Sequence, residues 1–419
     1  VILSNSHLVG TLLLAGIAMT AADARATNGY FTHGTGVRAQ AVAGVSFALP
    51  QDALIAASNP AGSGRIGDRI DAGLTWFQPD RGSVIEGNLA GADGRYDGND
   101  DAWFLLPDLG FTQSISEQLS WGIALYGNGG MNTSYTDNPY AAFGATGVAG
   151  VDLSQAFITP SIAWRAGNHS FGAAATFAYQ RFEAKGLAPF DGFSSRPGSV
   201  TDLGHDSSTG WGIKLGWMGN VSDSVTLGLA WSSEIDMSRF DDYAGLFADG
   251  GDFDIPQSYG AGVAWALSNE LTVAADWQRI QYSDINSVGT PLAPLLAGVP
   301  LGVAGGPGFG WEDSDVYKLG TIYKVTETLT LRAGVSHMDQ PIPGGETFFN
   351  ILAPGVIETH VSFGASWALS DKNEWNFAYT RGLEKTVRGA NSIPGPFGGG
   401  EANLTMHQNI LAIGFTRLL

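Results

Sequence analysis

From Asp68 to the C-terminus the chain repeats one pattern, in which every second residue is large and apolar while those between are small, polar or charged. In the last stretch Leu411, Ile413, Phe415 and Leu419 share a side interrupted by Arg417, opposite Gln408, Ile410, Ala412, Gly414 and Thr416. Leu119, Trp121, Ile123 and Leu125 alternate with Ser120, Gly122, Ala124 and Tyr126 in the same way, and Leu271, Val273, Ala275 and Trp277 with Thr272, Ala274, Asp276 and Gln278. A period of two is the signature of a strand with one greasy face. Counting such segments predicts about fourteen strands, each long enough to cross a bilayer when tilted.

Local alternation does not say which face is the inside. A soluble sandwich would bury the apolar side, whereas a membrane barrel turns it outward. The linkers decide between them. They alternate between short (114–118, 165–168, 219–223, 268–270, 325–327, 370–374) and long (about 78–103, 129–153, 185–207, 237–255, 284–312, 340–356 and 385–404). Short turns at one end and long loops at the other predict an all-β membrane protein, an antiparallel transmembrane β-barrel with both termini on the short-turn side. Closing an even number of strands removes every sheet edge. Trp76, Trp121, Trp164, Trp231, Tyr282 and Tyr379 fall near strand ends, as interfacial girdles require.

The chain before the first strand is different. Residues 1–26 read as a secretory signal peptide, with an apolar core from Leu8 to Ala22 and Ala24-Arg25-Ala26 as the cleavage site. Residues 27–66 are rich in Ala, Gly and Ser and show no sustained alternation. They have nothing to pack against except the interior of the barrel, so they are expected to fold into the lumen as a plug, leaving 67–419 as the barrel. Gly34-Thr35-Gly36 is not a dinucleotide loop, because no strand precedes it.

Composition narrows the function. Only 15% of residues are charged, the net charge is −19 and there is no cysteine. An acidic chain is a poor nucleic-acid partner. No CxxC or HExxH occurs, so a catalytic metal or other cofactor is not expected. No G-x-S-x-G occurs either, which leaves an outer-membrane enzyme with only the rim-placed His407 to offer. The acidic runs Asp93–Asp101 and Asp241–Asp254 do not match an EF-hand, and read as solvated loops or as divalent-ion contacts shared with lipopolysaccharide, with a dedicated calcium site as the alternative.

Gly34-x-Gly36-x-Arg38-Ala39, Ala43-Gly44, Asp52-Ala53 and Asn59-Pro60-Ala61 resemble the N-terminal hatch of the FadL/TodX family, and Pro107-x-Leu109-Gly110 followed by a Gly-rich strand ending Tyr126-Gly127 resembles it too. The resemblance implies an outer-membrane, monomeric transporter of long-chain fatty acids or other hydrophobic compounds, in contact with membrane lipid and lipopolysaccharide. It also implies passive uptake: binding between extracellular loops, hatch rearrangement and lateral exit where the third strand kinks. Gly122, Gly127 and Gly129 are the candidates for that break, since glycine weakens strand pairing. Apolar loop residues, among them Phe190, Phe193, Phe348 and Phe349, are candidates for the entry surface or for a canopy that packs on itself. A carboxylate head group would need a cation. Strand parity turns Lys214, Lys318, Lys324 and Arg332 inward and makes Lys318 the leading candidate, with Arg181 nearer the mouth. An importer of aromatic or alkane hydrocarbons, an outer-membrane enzyme and a general porin are the alternatives.

Overall fold

The computed structural model describes residues 28–419, so the expected signal segment lies outside the described residues. Fourteen strands form a closed antiparallel barrel. The first half comprises β1 (Arg69–Glu86), β2 (Phe104–Ser114), β3 (Leu119–Tyr135), β4 (Ala149–Ala166), β5 (His169–Lys185), β6 (Asp206–Asn220) and β7 (Val225–Ser232). The second comprises β8 (Ser258–Ala266), β9 (Leu271–Ile280), β10 (Ser314–Lys324), β11 (Leu329–Met338), β12 (Thr359–Ser370), β13 (Asn373–Val387) and β14 (Glu401–Leu418). Each strand pairs with the next, and β14 returns to β1 in a register running from Arg69↔Leu418 to Glu86↔Glu401.

The faces follow the alternation. Leu411 and Ile413 are exposed on the outer wall while Gln408, Ile410 and Ala412 are buried inside, and Trp76, Trp164, Trp265, Phe363 and Trp367 add to the outer apolar band. Lipid covers these side chains, so their exposure in the isolated chain is what a bilayer demands.

Five short turns share one chemistry. The hydroxyls of Ser116, Ser222, Ser268, Thr326 and Ser370 each accept the backbone N–H groups two and three residues on. A local side-chain acceptor of this kind satisfies a turn that has no helix or sheet partner.

At the opposite end the strands run well past the expected loop boundaries. β1 continues to Glu86, β3 to Tyr135 and β13 to Val387, while β4 and β14 begin at Ala149 and Glu401. Beyond the hydrocarbon the outer face meets water, so Asp80, Gly82 and Val84 no longer follow the greasy alternation although the ladder is intact. Two further ribbons, Gly94–Asp97 against β1 and Asp236–Met237 against β6, lie in the same projecting region.

Residues 28–67 occupy the lumen at the short-turn side. They contain one turn of helix, α1 (Val37–Gln40), and two 3-10 turns, Ala53–Ala57 and Pro60–Gly64. Asp52 and Asn59 cap the latter two by accepting from Leu54 N–H and Ala61 N–H at 3.1 Å each. The barrel supplies the remaining partners. Asp276 on β9 accepts from Ser46 and Phe47 N–H at 2.7 and 3.0 Å, and Asp71 on β1 accepts from Ala53 N–H at 2.8 Å. Arg38 forms an ion pair with Glu374 at 2.5 Å and donates to Asn376 at 3.0 Å. A hydrogen bond to a charged group contributes about 1.5–3 kcal/mol, so a few such anchors hold the segment firmly.

The wall makes room for this segment with glycine. A methyl group on Gly228 would lie 1.8 Å from the Phe47 carbonyl oxygen, and one on Gly216 would lie 1.9 Å from Asn59 Oδ1. Gly172, Gly334 and Gly364 would meet Ala61, Val42 and Ala41 at 2.2, 2.4 and 2.3 Å. These lumen-facing glycines let the plug backbone press directly on the strands.

Candidate functional site

Above the plug an aromatic column descends from the loops. Phe190 packs against Tyr140, Phe349 and Phe397 at centroid distances of 5.1, 5.1 and 5.6 Å, and Phe348 packs against Tyr140 and Phe397 at 5.5 and 5.4 Å. Tyr140 also donates its hydroxyl to the Phe348 carbonyl at 3.1 Å. Phe190, Phe348 and Phe349 are therefore buried against other loops, and of the four predicted loop phenylalanines Phe193 alone is exposed, resting on Phe397 at 5.4 Å. Of the two arrangements weighed from sequence, the loops adopt the self-packed canopy. Its apolar core continues down through Trp311 and Tyr282 to Tyr30 and Phe31 at the start of the described chain.

Below this column is a cavity of about 80 Å³ between plug and wall. Phe31, His33 and Phe47 of the plug and Tyr126, Lys214 and Lys318 of the wall are among its lining residues. Lys318 is buried; its Nζ donates to the Gly44 carbonyl at 3.4 Å and to Gln278 Oε1 at 3.3 Å, and sits 6.0 Å from the centre of the Phe47 ring. Lys214 Nζ donates to Ser232 Oγ at 2.8 Å. Among the described residues neither ammonium has a carboxylate within ion-pair distance. Asp276, the cross-strand neighbour of Lys318, is turned to the plug amides instead. His33 stacks on His360 of β12 at 5.4 Å with the rings 13° apart, and its Nε2 lies 3.2 Å from Thr380 Oγ1. Burial, with Lys318 nearby, lowers His33 to a pKa of about 4.

The other predicted cations fall elsewhere. Arg181 is on the outward side of β5, 3.7 Å from Asp152 and 3.0 Å from His205, because Gln180 and Phe182 take the inward positions. It does not line this cavity. Lys324 is exposed at the turn end of β10, and Arg332 is spent on Gln51 and Ser366 at the base of the plug. The plug motif residues are structural. Gly36 has φ +87° ahead of α1 and lies against Asp52, Gly34 abuts Gly44, and Asn59 also donates to Phe47 and Leu229 carbonyls at 2.7 and 3.2 Å. Pro60 and Ala61 follow in the 3-10 turn that rests on Gly172.

The third strand is broken. Its pairing with β4 shifts register between Gly127 and Gly129, so Asn128 has no opposite residue. This bulge also ends the inner alternation of Gly122, Ala124 and Tyr126 and resumes it one residue out of phase at Met131, Thr133 and Tyr135. On the other side, the β2–β3 ladder stops at Leu109↔Leu125, and among the described residues β3 is joined again through Gly98, Asn99 and Asp100 at Ser134. Among the described residues no strand pairing spans the wall between those points. Gly127 and Gly129 flank the break, whereas Gly122 lies below it, fully paired with Thr112 and Ser161. Tyr126, the residue before the break, lines the lysine cavity.

Sequence reasoning singled out Lys318 but not Lys214 or Tyr126 as cavity residues, although both stand at inward parity. The acidic loop residues serve as local acceptors. Asp100 takes Thr136 N–H at 2.9 Å, and Asp249 takes Asn286 Nδ2 and Gly305 N–H at 2.7 and 3.0 Å. Among the described residues no cluster of side chains suited to a metal ion occurs.

The profile of the outer membrane protein transport protein family (OMPP1/FadL/TodX) matches residues 12–417. A long-chain fatty acid transport protein of Escherichia coli O6:H1 is 26% identical over 347 residues, covering 72% of this chain and 74% of that protein. The crystal structures of a Pseudomonas aeruginosa FadL homologue and of the P. putida toluene transporter TodX superpose with TM-scores of 0.70 and 0.67 at 17% identity, covering 93% and 92% of this chain and 99% of each of theirs. With the barrel and the matched profile together, the chain is a member of the OMPP1/FadL/TodX family: an outer-membrane transport protein for hydrophobic compounds, and not an enzyme.

Proposed function

We propose that this barrel takes up long-chain fatty acids by passive passage, holding the carboxylate at Lys318 and Lys214 and releasing the molecule sideways through the break in β3. One observation carries the reading: the buried Lys318 and half-buried Lys214 ammonium groups, neither paired with a carboxylate among the described residues, line a cavity that also contains Phe31, Phe47 and the Tyr126 next to the break. A buried cation is costly unless an anion completes it. Apolar walls with a few convergent cations suit an amphipathic acid.

Residues 28–67 act in this reading as the hatch. They fill the barrel below the cavity, and Lys318 bonds to Gly44 of the hatch itself, so a carboxylate drawing Lys318 away would loosen one hatch anchor. The E. coli relative carries its substrate class in its name, which favours the acid over a hydrocarbon. A neutral aromatic hydrocarbon is the second reading, favoured by the apolar small void under the loops between Phe182, Phe247, Phe309 and Phe349.

The test is uptake of labelled oleate and of labelled toluene by cells that lack their own importer and express either this barrel or its Lys318→Ala variant. Oleate entry that depends on Lys318 supports the fatty-acid reading. Toluene entry indifferent to Lys318, without oleate entry, transfers the protein to the hydrocarbon reading.

A further inference from the structure

A second buried cation lies higher in the barrel. Arg81, on the inward face of β1, is 2% exposed. Its Nη2 donates to the carbonyls of Gly98 and Asp101 at 2.9 and 2.7 Å, while its Nε and Nη1 are buried with no acceptor among the described residues. Asp80, Asp97 and Asp101 are near enough to be felt, but their side chains are exposed, and none forms an ion pair with it among the described residues. Leaving two donor nitrogens of a buried guanidinium unbonded costs stability, and such an exception calls for a reason.

The surroundings supply one. Arg81 lines a void of about 30 Å³ whose other walls include Phe77, Met131, Trp311, Met406 and the backbone of Gly130. A single water needs roughly 10–15 Å³ of such space, so the void suits a group of carboxylate size rather than an alkyl chain. Its position is equally specific. Gly98, which Arg81 holds, is the residue whose carbonyl accepts from Ser134 N–H and so forms the upper edge of the gap between β2 and β3. Gly130 and Met131 lie on the β3 side of that gap. The cation therefore stands inside the barrel at the top of the wall opening, separate from the Lys214–Lys318 cavity, with which its void shares no lining residue.

We propose that Arg81 is a second head-group station, which binds the carboxylate of an amphipathic acid through its unbonded guanidinium nitrogens while the alkyl chain extends past Met131 toward the gap in the wall. The assignment rests on the fatty-acid reading above and adds to it a site that distinguishes acids from neutral molecules of the same chain length. Arginine suits the task, since it stays charged when buried and offers several directed donors.

Two variants test it, with labelled oleate and labelled oleyl alcohol as probes in cells lacking their own importer. Arg81→Met removes the charge and keeps much of the stem. Met131→Glu leaves Arg81 and its loop contacts in place but sets a carboxylate across the void to occupy it. Each variant is expected to lower oleate uptake about tenfold relative to oleyl alcohol, the change expected for losing one charge-assisted contact. Barrel assembly is checked by heat-dependent gel mobility, and if Arg81→Met does not assemble, Met131→Glu decides alone. An unchanged ratio of oleate to alcohol uptake, whether both fall together or neither falls, overturns the Arg81 assignment. Failure of the unmodified barrel to import oleate would instead sink the fatty-acid reading on which it rests.

Discussion

Gly228→Ala probes how the hatch is held. Gly228 lies mid-strand on β7 without a positive φ, so the strand itself accepts alanine. The new methyl would stand 1.8 Å from the Phe47 carbonyl oxygen and 2.8 Å from Ala48 N. Ordinary contact is about 3.5 Å, so the hatch backbone must retreat by roughly 1.5 Å. That backbone is fixed on three sides: Asn59 Nδ2 donates to the same Phe47 carbonyl at 2.7 Å, and Ser46 and Phe47 N–H both bond to Asp276. Overpacking alone costs about 1–3 kcal/mol, and each charge-assisted bond lost adds about 1.5–3 kcal/mol. The segment around Ser46–Asn59 is then expected to detach locally while the barrel still closes, because the outer face and ladder of β7 are untouched. Single-channel recording in planar bilayers should show larger and more frequent openings, with faster amide exchange in the hatch and normal heat-modifiable mobility. Gly192→Ala, with nothing within 4 Å of the added methyl, is the control. A Gly228→Ala barrel that stays as closed as the unmodified one, with unchanged hatch exchange, would refute the close-packed hatch described here.

Further outcomes follow from the same geometry. Asp276→Asn weakens the acceptor for Ser46 and Phe47 N–H and should accelerate hatch exchange as Gly228→Ala does, by about 1–3 kcal/mol in opening free energy. The contribution of His33 to hatch docking should be lost on acidification. Docked His33 has its pKa lowered to about 4 from 6.5, so the undocked state binds the proton first; the His33 contribution is full above pH 6.5, falls as pH drops from there to about 4, and has lost about 3 kcal/mol by then. Exchange of the hatch amides at pH 7 and pH 4.5 reads this, and a His33→Gln variant should flatten the dependence. In the short turns, Ser268→Ala removes the acceptor for Glu270 and Leu271 N–H and should cost about 0.5–1.5 kcal/mol in urea unfolding, with transport unchanged.

The barrel was legible because lipid imposes a strict rule on the sequence. Leu411 and Ile413 must face hydrocarbon and Gln408 must not, so the alternation survives in every strand that crosses the bilayer. Where that rule lapses, reading failed: β1 beyond Gln78 and β14 before Met406 are paired strand with water on the outside, and their sequences look like loop. Strand parity already placed Arg181 on the same face as Phe177 and Tyr179, so its outward position follows from the pattern, and nearness to the mouth was a weaker guide. The lumenal glycines were visible individually but not as a set. Gly172, Gly216 and Gly228 become a hatch seat only once the strands are laid side by side. The loop phenylalanines carry no periodicity at all, and whether Phe190 meets water or Phe349 is decided by contacts far apart in the chain. Arg81 escaped notice for a related reason. Its significance lies in what its Nε and Nη1 lack, which no sequence displays.

In the proposed route a fatty acid leaves through the wall at β3. Deleting Asn128 removes the residue without an opposite on β4 and restores one continuous register from Leu119 to Tyr135. With the bulge gone, β3 can continue its ladder with β2 and close the gap. The decisive measurement is labelled oleate uptake by cells lacking their own importer and expressing either the unmodified barrel or this deletion, with assembly verified in both. Lateral exit at β3 requires uptake by the first and its loss in the second, and equal uptake by an assembled barrel lacking Asn128 would contradict it.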